Sequence, residues 1–146
     1  MRTVIQRVKK SSVKIDNEVI SEIGQGLLVL IAVHEDDTQK DIEWMANKVV
    51  NLRVFSDEHE KMNKSVQDVG GGILVVSQFT LYGDCKKGNR PSFAKSAEPK
   101  KAKEYYEKFV GALRAMPITV ATGKFQEMME VELINNGPVT VVVDSR

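Results

Sequence analysis

Ser77, Gln78 and Thr80 fall within the stretch Ser77-Gln78-Phe79-Thr80, directly after the apolar run Ile73 to Val76. Two hydroxyls, a carboxamide and the intervening main-chain N–H groups are an unusual load for the end of a buried strand. If the strand leaves its ladder there, its N–H groups point at a ligand, and such donors stabilise an oxyanion. A polar strand end whose side chains satisfy one another fits the same residues equally well. On residue types alone the two readings stay level.

The next informative stretch follows at once. Between Cys85 and Lys103 lie Lys86, Lys87, Arg90, Lys95, Lys100, Lys101 and Lys103, against Glu98 alone. A solvated charged surface is the plain account of such a run. Its place directly after Ser77 to Gly83 gives weight to contact with phosphates. Other chemistries find little support. His34, His59 and Cys85 lack the spacing of HExxH or CxxC ligand sets, so no metal site is expected. Cys85 sits in GDCKKG, where lysines favour a thiolate. A nucleophile also needs a base beside it, and an incidental loop cysteine is the simpler reading. No GxSxG or phosphate-binding P-loop occurs, and Gly70 to Gly72 read as a turn.

A third stretch, Ile134-Asn-Asn-Gly-Pro-Val-Thr140, poses a conflict. Asn-Gly between apolar runs is a strong hairpin signal. Pro138 follows directly, and a proline disfavours helical-type ψ at the residue before it. An ordinary tight hairpin is therefore not expected at Gly137-Pro138.

The elements that position these stretches read mostly as strands. Val4 to Val8 and Val13 to Ile23 are expected strands, with breaks at Ser11-Ser12 and Asp16-Asn17. Leu27 to Val33 is a continuous apolar run of strand length, expected to be buried on both faces. Thr38 caps a helix with Asp41 three residues on, and Ile42, Met45, Ala46, Val49 and Val50 form its stripe. Leu52 to Phe55 reads as a short strand and Asp57 to Val69 as irregular. Ile73 to Val76 is a second buried strand. Glu98-Pro99 opens another helix, with Pro99 in its first turn and Ala102, Tyr106, Phe109, Val110 and Leu113 on its buried face. Met116-Pro117 ends it. Thr119 to Ala121, Val131 to Ile134 and Val139 to Val143 complete the strands. Many strands with two long helices make a single α+β domain over residues 1–146.

Composition narrows the partners. A net charge of +1 makes the whole chain no magnet for nucleic acid, so any such binding falls to a local patch. One cysteine fits a reducing cytosol. No run approaches the ~18 apolar residues of a membrane span, and the opening MRTVIQRVKK lacks a signal-peptide core.

Ser77-Gln-Phe-Thr-Leu81 together with Asn135-Asn-Gly-Pro-Val-Thr140 resembles the SQxTL and NxGPxT signatures of the D-aminoacyl-tRNA deacylase family, also called the D-tyrosyl-tRNA deacylases. The similarity extends through MRTVIQRV, GLLVL, KVVNLRVF, KMNKSV, VVSQFTLYGD, KGNRPSF and NNGPVTVVVDS, and so over the whole chain. The resemblance implies a homodimeric, β-barrel-like domain with the helices packed outside. It implies hydrolysis of the ester joining a D-amino acid to the terminal adenosine of tRNA, in the cytoplasm, with no cofactor and with neither DNA nor a membrane as partner.

Carried over residue by residue, Ser77, Gln78, Phe79 and Thr80 are the catalytic stretch. Main-chain N–H groups near Gln78 and Phe79 hold the carbonyl oxygen, and a water attacks, helped by the RNA's 2′-OH; Thr80 as nucleophile is the alternative. Gly137-Pro138 is the family's cis peptide, reaching into the partner subunit's site. Its carbonyls exclude an L side chain and admit D-aminoacyl and glycyl esters, glycine mischarged on tRNA(Ala) among them. Arg7, Leu81, Asn135 and Thr140 support these motifs. Lys86, Lys87 and Arg90 are the expected contacts to the tRNA acceptor end.

Overall fold

The computed structural model describes residues 1–146. Strand β1 (Arg2–Ile15) is the spine of the sheet. Along one edge it pairs antiparallel with β8 (Glu130–Asp144). Along the other it pairs first with β3 (Gly26–Ala32) and then with β2 (Glu18–Ile23), both antiparallel. Beyond β3 the sheet continues in parallel through β6 (Gly72–Ser77) to β7 (Thr119–Thr122). The result is a nearly closed, barrel-like sheet with helices α1 (Gln39–Asn51) and α2 (Pro99–Arg114) on its outside. A small hairpin of β4 (Phe55–Ser56) and β5 (Met62–Lys64) stands apart.

Two cores follow from the period-two alternation of the central strands. Leu27, Val29 and Ile31 of β3 and Ile73 and Val75 of β6 face the helices, where they meet Ile42, Met45, Val49, Phe109 and Leu113. Leu28 of β3 and Leu74 and Val76 of β6 face the barrel interior with Val8, Val13 and Ile23. Strands buried on both sides need the unbroken apolar runs seen in the sequence. The Tyr106 hydroxyl carries α2's one buried polar group to the Val75 carbonyl at 3.1 Å, and burial pushes that phenol up to about 12.

Several boundaries differ from the sequence expectation. β1 runs without a break through Ser11-Ser12, because Ser11 is buried and its hydroxyl is satisfied by the Glu132 carbonyl at 2.8 Å. The expected break at Asp16-Asn17 is present, and positive φ angles of 50° and 65° make it the hairpin turn between β1 and β2. Leu52 to Phe55 contributes only Phe55 to a strand, and Met62–Lys64 within the expected irregular stretch pairs with it. The two expected C-terminal strands are one strand, β8, since both halves pair with β1.

The entry to α1 is tied to the C-terminal residues. Asp41 accepts the Thr38 N–H at 2.8 Å, the Thr38 hydroxyl at 3.0 Å and the Ser145 hydroxyl at 2.7 Å. Burial works against its charge, yet the hydrogen bonds from Ser145 and Thr38 win and hold the carboxyl well below the usual range. A depressed carboxylate stabilises the fold above its unfolded pKa, and that contribution is lost as pH falls towards the folded value. Asp41→Asn is therefore expected to cost about 1–2 kcal/mol at pH 7. The gap from the parent should shrink below about pH 4. Urea melts at neutral and acid pH check this; a gap that stays constant across pH would contradict it.

Candidate active site

β6 ends at Ser77, and Gln78 is the last residue held by the sheet: its N–H donates to the Ile31 carbonyl at 2.7 Å. The chain then turns into a short 3-10 helix, Phe79–Tyr82. The turn's hydrogen bonds begin with the Leu81 N–H donating to the Gln78 carbonyl at 3.2 Å. The first N–H groups of a helical turn have no partner within it. Here those are the N–H groups of Phe79 and Thr80. The Gln78 N–H, expected as a donor to substrate, is instead committed to β3, so the candidate pair lies one residue further along.

The turn is held from behind. The Phe79 carbonyl accepts the Ser96 hydroxyl at 3.1 Å, the Thr80 carbonyl accepts the Gly83 N–H at 2.9 Å, and the Leu81 carbonyl accepts Arg2 Nη1 at 3.2 Å. With its carbonyls fixed, the turn presents its N-terminal end in one orientation. The Gln78 amide donates to Thr80 Oγ1. That is the only side-chain hydrogen bond at the Thr80 hydroxyl, and its partner is a donor, whereas a nucleophile needs a base.

In front of the turn lies a cavity of about 700 Å³. Ser77, Gln78 and Phe79 form its polar end, and Val33, Val76, Phe93, Ala97, Phe125 and Met129 make the rest mostly apolar. Phe79 and Phe93 meet edge to face at 5.2 Å. An apolar cleft with convergent polar groups at one end is the general form of a small-molecule site. The sequence reading missed this second wall. Phe93 lies in the KGNRPSF stretch of the resemblance, but Phe125, Met128 and Met129 carry no local signal and reach the cavity only through the fold.

Arg7, Asn135, Gly137, Pro138 and Thr140 come together elsewhere. β8 bulges opposite Arg7: Gln6 pairs with Thr140 and Val8 with Asn135, so Asn136 to Val139 face a single β1 residue. Arg7 fills the bulge, its Nε donating to the Asn136 carbonyl at 3.0 Å and its Nη1 to the Val54 carbonyl at 2.6 Å. The Asn135 side chain accepts the Val139 N–H at 2.9 Å and donates to the Thr140 hydroxyl at 3.0 Å. The Gly137-Pro138 bond is cis, and Gly137 has φ of +130°. A Cβ at Gly137 would stand 2.7 Å from Arg7 Nη2, so only glycine fits both the angle and the space.

Within one chain this bulge is far from the Phe79–Tyr82 turn. Ser77 pairs with Ile31, Ile31 with Thr3 and Thr3 with Val143, three strands across and five residues along β8 from Pro138. By strand spacing and rise, the path through the sheet between the two clusters is roughly 20 Å. Gly137 and Pro138 are both exposed.

Of the basic residues, Lys86 lines a separate polar pocket beyond the turn, and Lys87 and Arg90 are exposed on the loop that follows it. His34, Glu35 and Asp36 bring donor atoms within 4.8 Å of one another. The Nδ1 of His34 already accepts the Asp36 N–H at 3.1 Å. No helix is long and apolar enough to cross a membrane.

The model of one protein family, D-Tyr-tRNA(Tyr) deacylase, matches residues 4–144. A D-aminoacyl-tRNA deacylase of Bacillus licheniformis is 55% identical over 146 residues, spanning 100% of this chain and 99% of its own. One of Shouchella clausii is 52% identical over 145 residues, 99% of either chain. Among solved structures, a c-Myc DNA unwinding element binding protein superposes with a TM-score of 0.95 at 43% identity, covering 100% of this chain and 99% of its own. A probable eukaryotic D-amino acid tRNA deacylase superposes with a TM-score of 0.83 at 17% identity over 97% of both chains, a likeness of fold.

Proposed function

This chain belongs to the D-Tyr-tRNA(Tyr) deacylase family, a D-aminoacyl-tRNA deacylase that hydrolyses aminoacyl-tRNA esters, and from that premise we propose how its residues carry out the reaction. The observation that carries the reading is the Phe79–Tyr82 turn, which starts at the polar end of an apolar cavity and whose two leading N–H groups have no main-chain partner.

The ester carbonyl lies against the N–H groups of Phe79 and Thr80. Both are main-chain donors on a turn fixed by Ser96, Gly83 and Arg2, so they need no reorganisation as charge builds on the oxygen. A water attacks the carbonyl carbon, the neighbouring 2′-OH of the RNA assists it, and the adenosine oxygen leaves. The Gln78 amide orients the Thr80 hydroxyl, and Ser77 positions the strand end. The absence of a base at Thr80 supports water over Thr80 as the attacking group.

Chirality is read by exclusion. The protein acts as a homodimer in which Gly137-Pro138 of a second copy enters the cavity. The roughly 20 Å path through the sheet between the two clusters of one chain supports this arrangement. Ile134 and Val142, exposed apolar residues of β8 on either side of the bulge, support a partner along this strand. Main-chain carbonyls close to the substrate Cα refuse an L side chain and leave a D side chain pointing away, with no grip on its identity. Glycine, without a side chain, passes. Lys86, Lys87 and Arg90 contact the acceptor end of the tRNA, and the reaction takes place in the cytoplasm without DNA or a membrane.

A second reading has one specific support, the structural likeness to a c-Myc DNA unwinding element binding protein. In that reading the chain is a nucleic-acid-binding dimer without catalysis. Incubation with D- and L-aminoacylated tRNA separates the two: release of the D-amino acid with the RNA intact on a gel supports the deacylase, and binding without release supports the second reading.

A further inference from the structure

Behind the Phe79–Tyr82 turn lies a second pocket, of about 610 Å³, that the reaction above does not use. It is polar where the first is apolar. Arg2, Lys86, Lys95 and Arg146 line it together with the carboxylates of Asp84 and Asp144. Those carboxylates are already engaged. Asp144 holds Arg2 Nε at 2.8 Å, and Asp84 Oδ1 accepts the Lys86 N–H at 2.9 Å. Arg146 is drawn to Asp37 and Asp41, both at 3.4 Å. Lys86 and Lys95 are left as cations with no carboxylate within 4.0 Å.

Their backbones are anchored. Asp84 and Ser92 exchange main-chain hydrogen bonds of 2.8 and 3.0 Å, and the Lys95 carbonyl accepts the Glu35 N–H at 3.0 Å. The pocket also adjoins the candidate active site. The turn separates the two, with Gln78 and Phe79 on one side and Tyr82 and Gly83 on the other. Lys95 faces the second pocket and its neighbour Ser96 the first. Two unneutralised ammonium groups in a polar hollow, one turn away from where a terminal adenosine ester is cleaved, suit the phosphodiesters that precede that adenosine.

We propose that this second pocket binds the single-stranded 3′ end of the tRNA through its last phosphodiesters, with Lys86 and Lys95 as the phosphate contacts. The inference rests on the deacylase reading and adds to it a site that registers the strand before the ester enters the cavity. Binding there releases counterions, so each contact adds about 0.7 to the salt slope of a single strand. The test compares kcat/KM for D-aminoacyl-tRNA and for D-aminoacyl-adenosine, which carries no phosphate, over a range of salt. The Lys86→Ala/Lys95→Ala protein should show a slope flatter by about 1.4 on the tRNA ester, which is about sevenfold less loss between ~50 and ~200 mM salt. Its preference for the tRNA ester over the adenosine ester should fall in step. The charge-preserving Lys86→Arg/Lys95→Arg protein should restore both. An unchanged slope, or an equal loss on the two esters, overturns the phosphate pocket while leaving the deacylase in place. Parent protein that hydrolyses neither ester overturns the deacylase reading and the pocket with it.

Discussion

Alanine at position 26 is expected to destabilise the native fold severely. Gly26 opens β3 and pairs with Gly72 at the start of β6. A Cβ there would stand 1.9 Å from the Gly72 carbonyl oxygen and 2.8 Å from its carbonyl carbon and nitrogen. All three are main-chain atoms, so no rotamer change relieves the overlap. Only parting β3 from β6 does, and those strands carry both cores and end at the candidate active site. The cost should exceed about 4 kcal/mol, a large share of the ~5–15 kcal/mol that holds a domain together. Gly24→Ala is the control, because nothing lies within 4 Å of a Cβ at that position. Thermal melts should show Gly26→Ala unfolded or lowered by at least about 10 °C, with Gly24→Ala close to the parent. Equal melting of the two proteins would mean that the strands do not approach as closely as described.

The second large effect concerns the main-chain donors. Phe79 is the first residue of its turn, where proline is well tolerated because the N–H is not needed by the turn. Gln78 before it has φ of −143° and ψ of 75°, outside the helical region that a following proline disfavours. Phe79→Pro therefore removes the proposed oxyanion donor with little demand on the backbone. Phe79→Ala keeps the donor and removes the ring. If the Phe79 N–H holds the oxyanion, the proline protein should be slower than the alanine protein by about 10²–10³ in kcat. Thr80→Ala should keep much of the parent's rate. A loss of ~10⁴-fold or more in Thr80→Ala, with Phe79→Pro matching Phe79→Ala, would assign the chemistry to a covalent threonine.

Much of this architecture is legible in the sequence where burial dictates residue type. Leu27 to Ala32 and Ile73 to Val76 are apolar at every position because each strand separates two cores, and the stripes of α1 and α2 follow the helical period. Thr38 and Asp41 mark the start of α1 for a local hydrogen-bonding reason. The reading fails where a distant partner overrides a local signal. Asn135 to Pro138 look like a break between strands, yet β1 pairs on both sides of them and Arg7 fills the gap, so the chain bulges and continues. Ser11 looks like a strand end and is a buried position with a satisfied hydroxyl. The polar end of the cavity is compact in sequence because it is one turn. Its apolar wall is assembled from the loop before α2 and the segment after β7, and no spacing within either segment records that meeting.

The most direct measurement is a matched set of D-alanyl-, L-alanyl- and glycyl-tRNA, hydrolysed under one condition by the unaltered protein. The proposed exclusion by main-chain carbonyls would act on the L side chain alone, and one methyl group would be enough, since repulsion rises steeply with overlap. D-alanyl and glycyl esters should both be cleaved, and the L-alanyl ester should be slower by at least about a thousandfold, or ~4 kcal/mol. Cleavage of the D-alanyl ester with the glycyl ester left intact would contradict the account, because it would show that the D side chain is gripped rather than merely allowed.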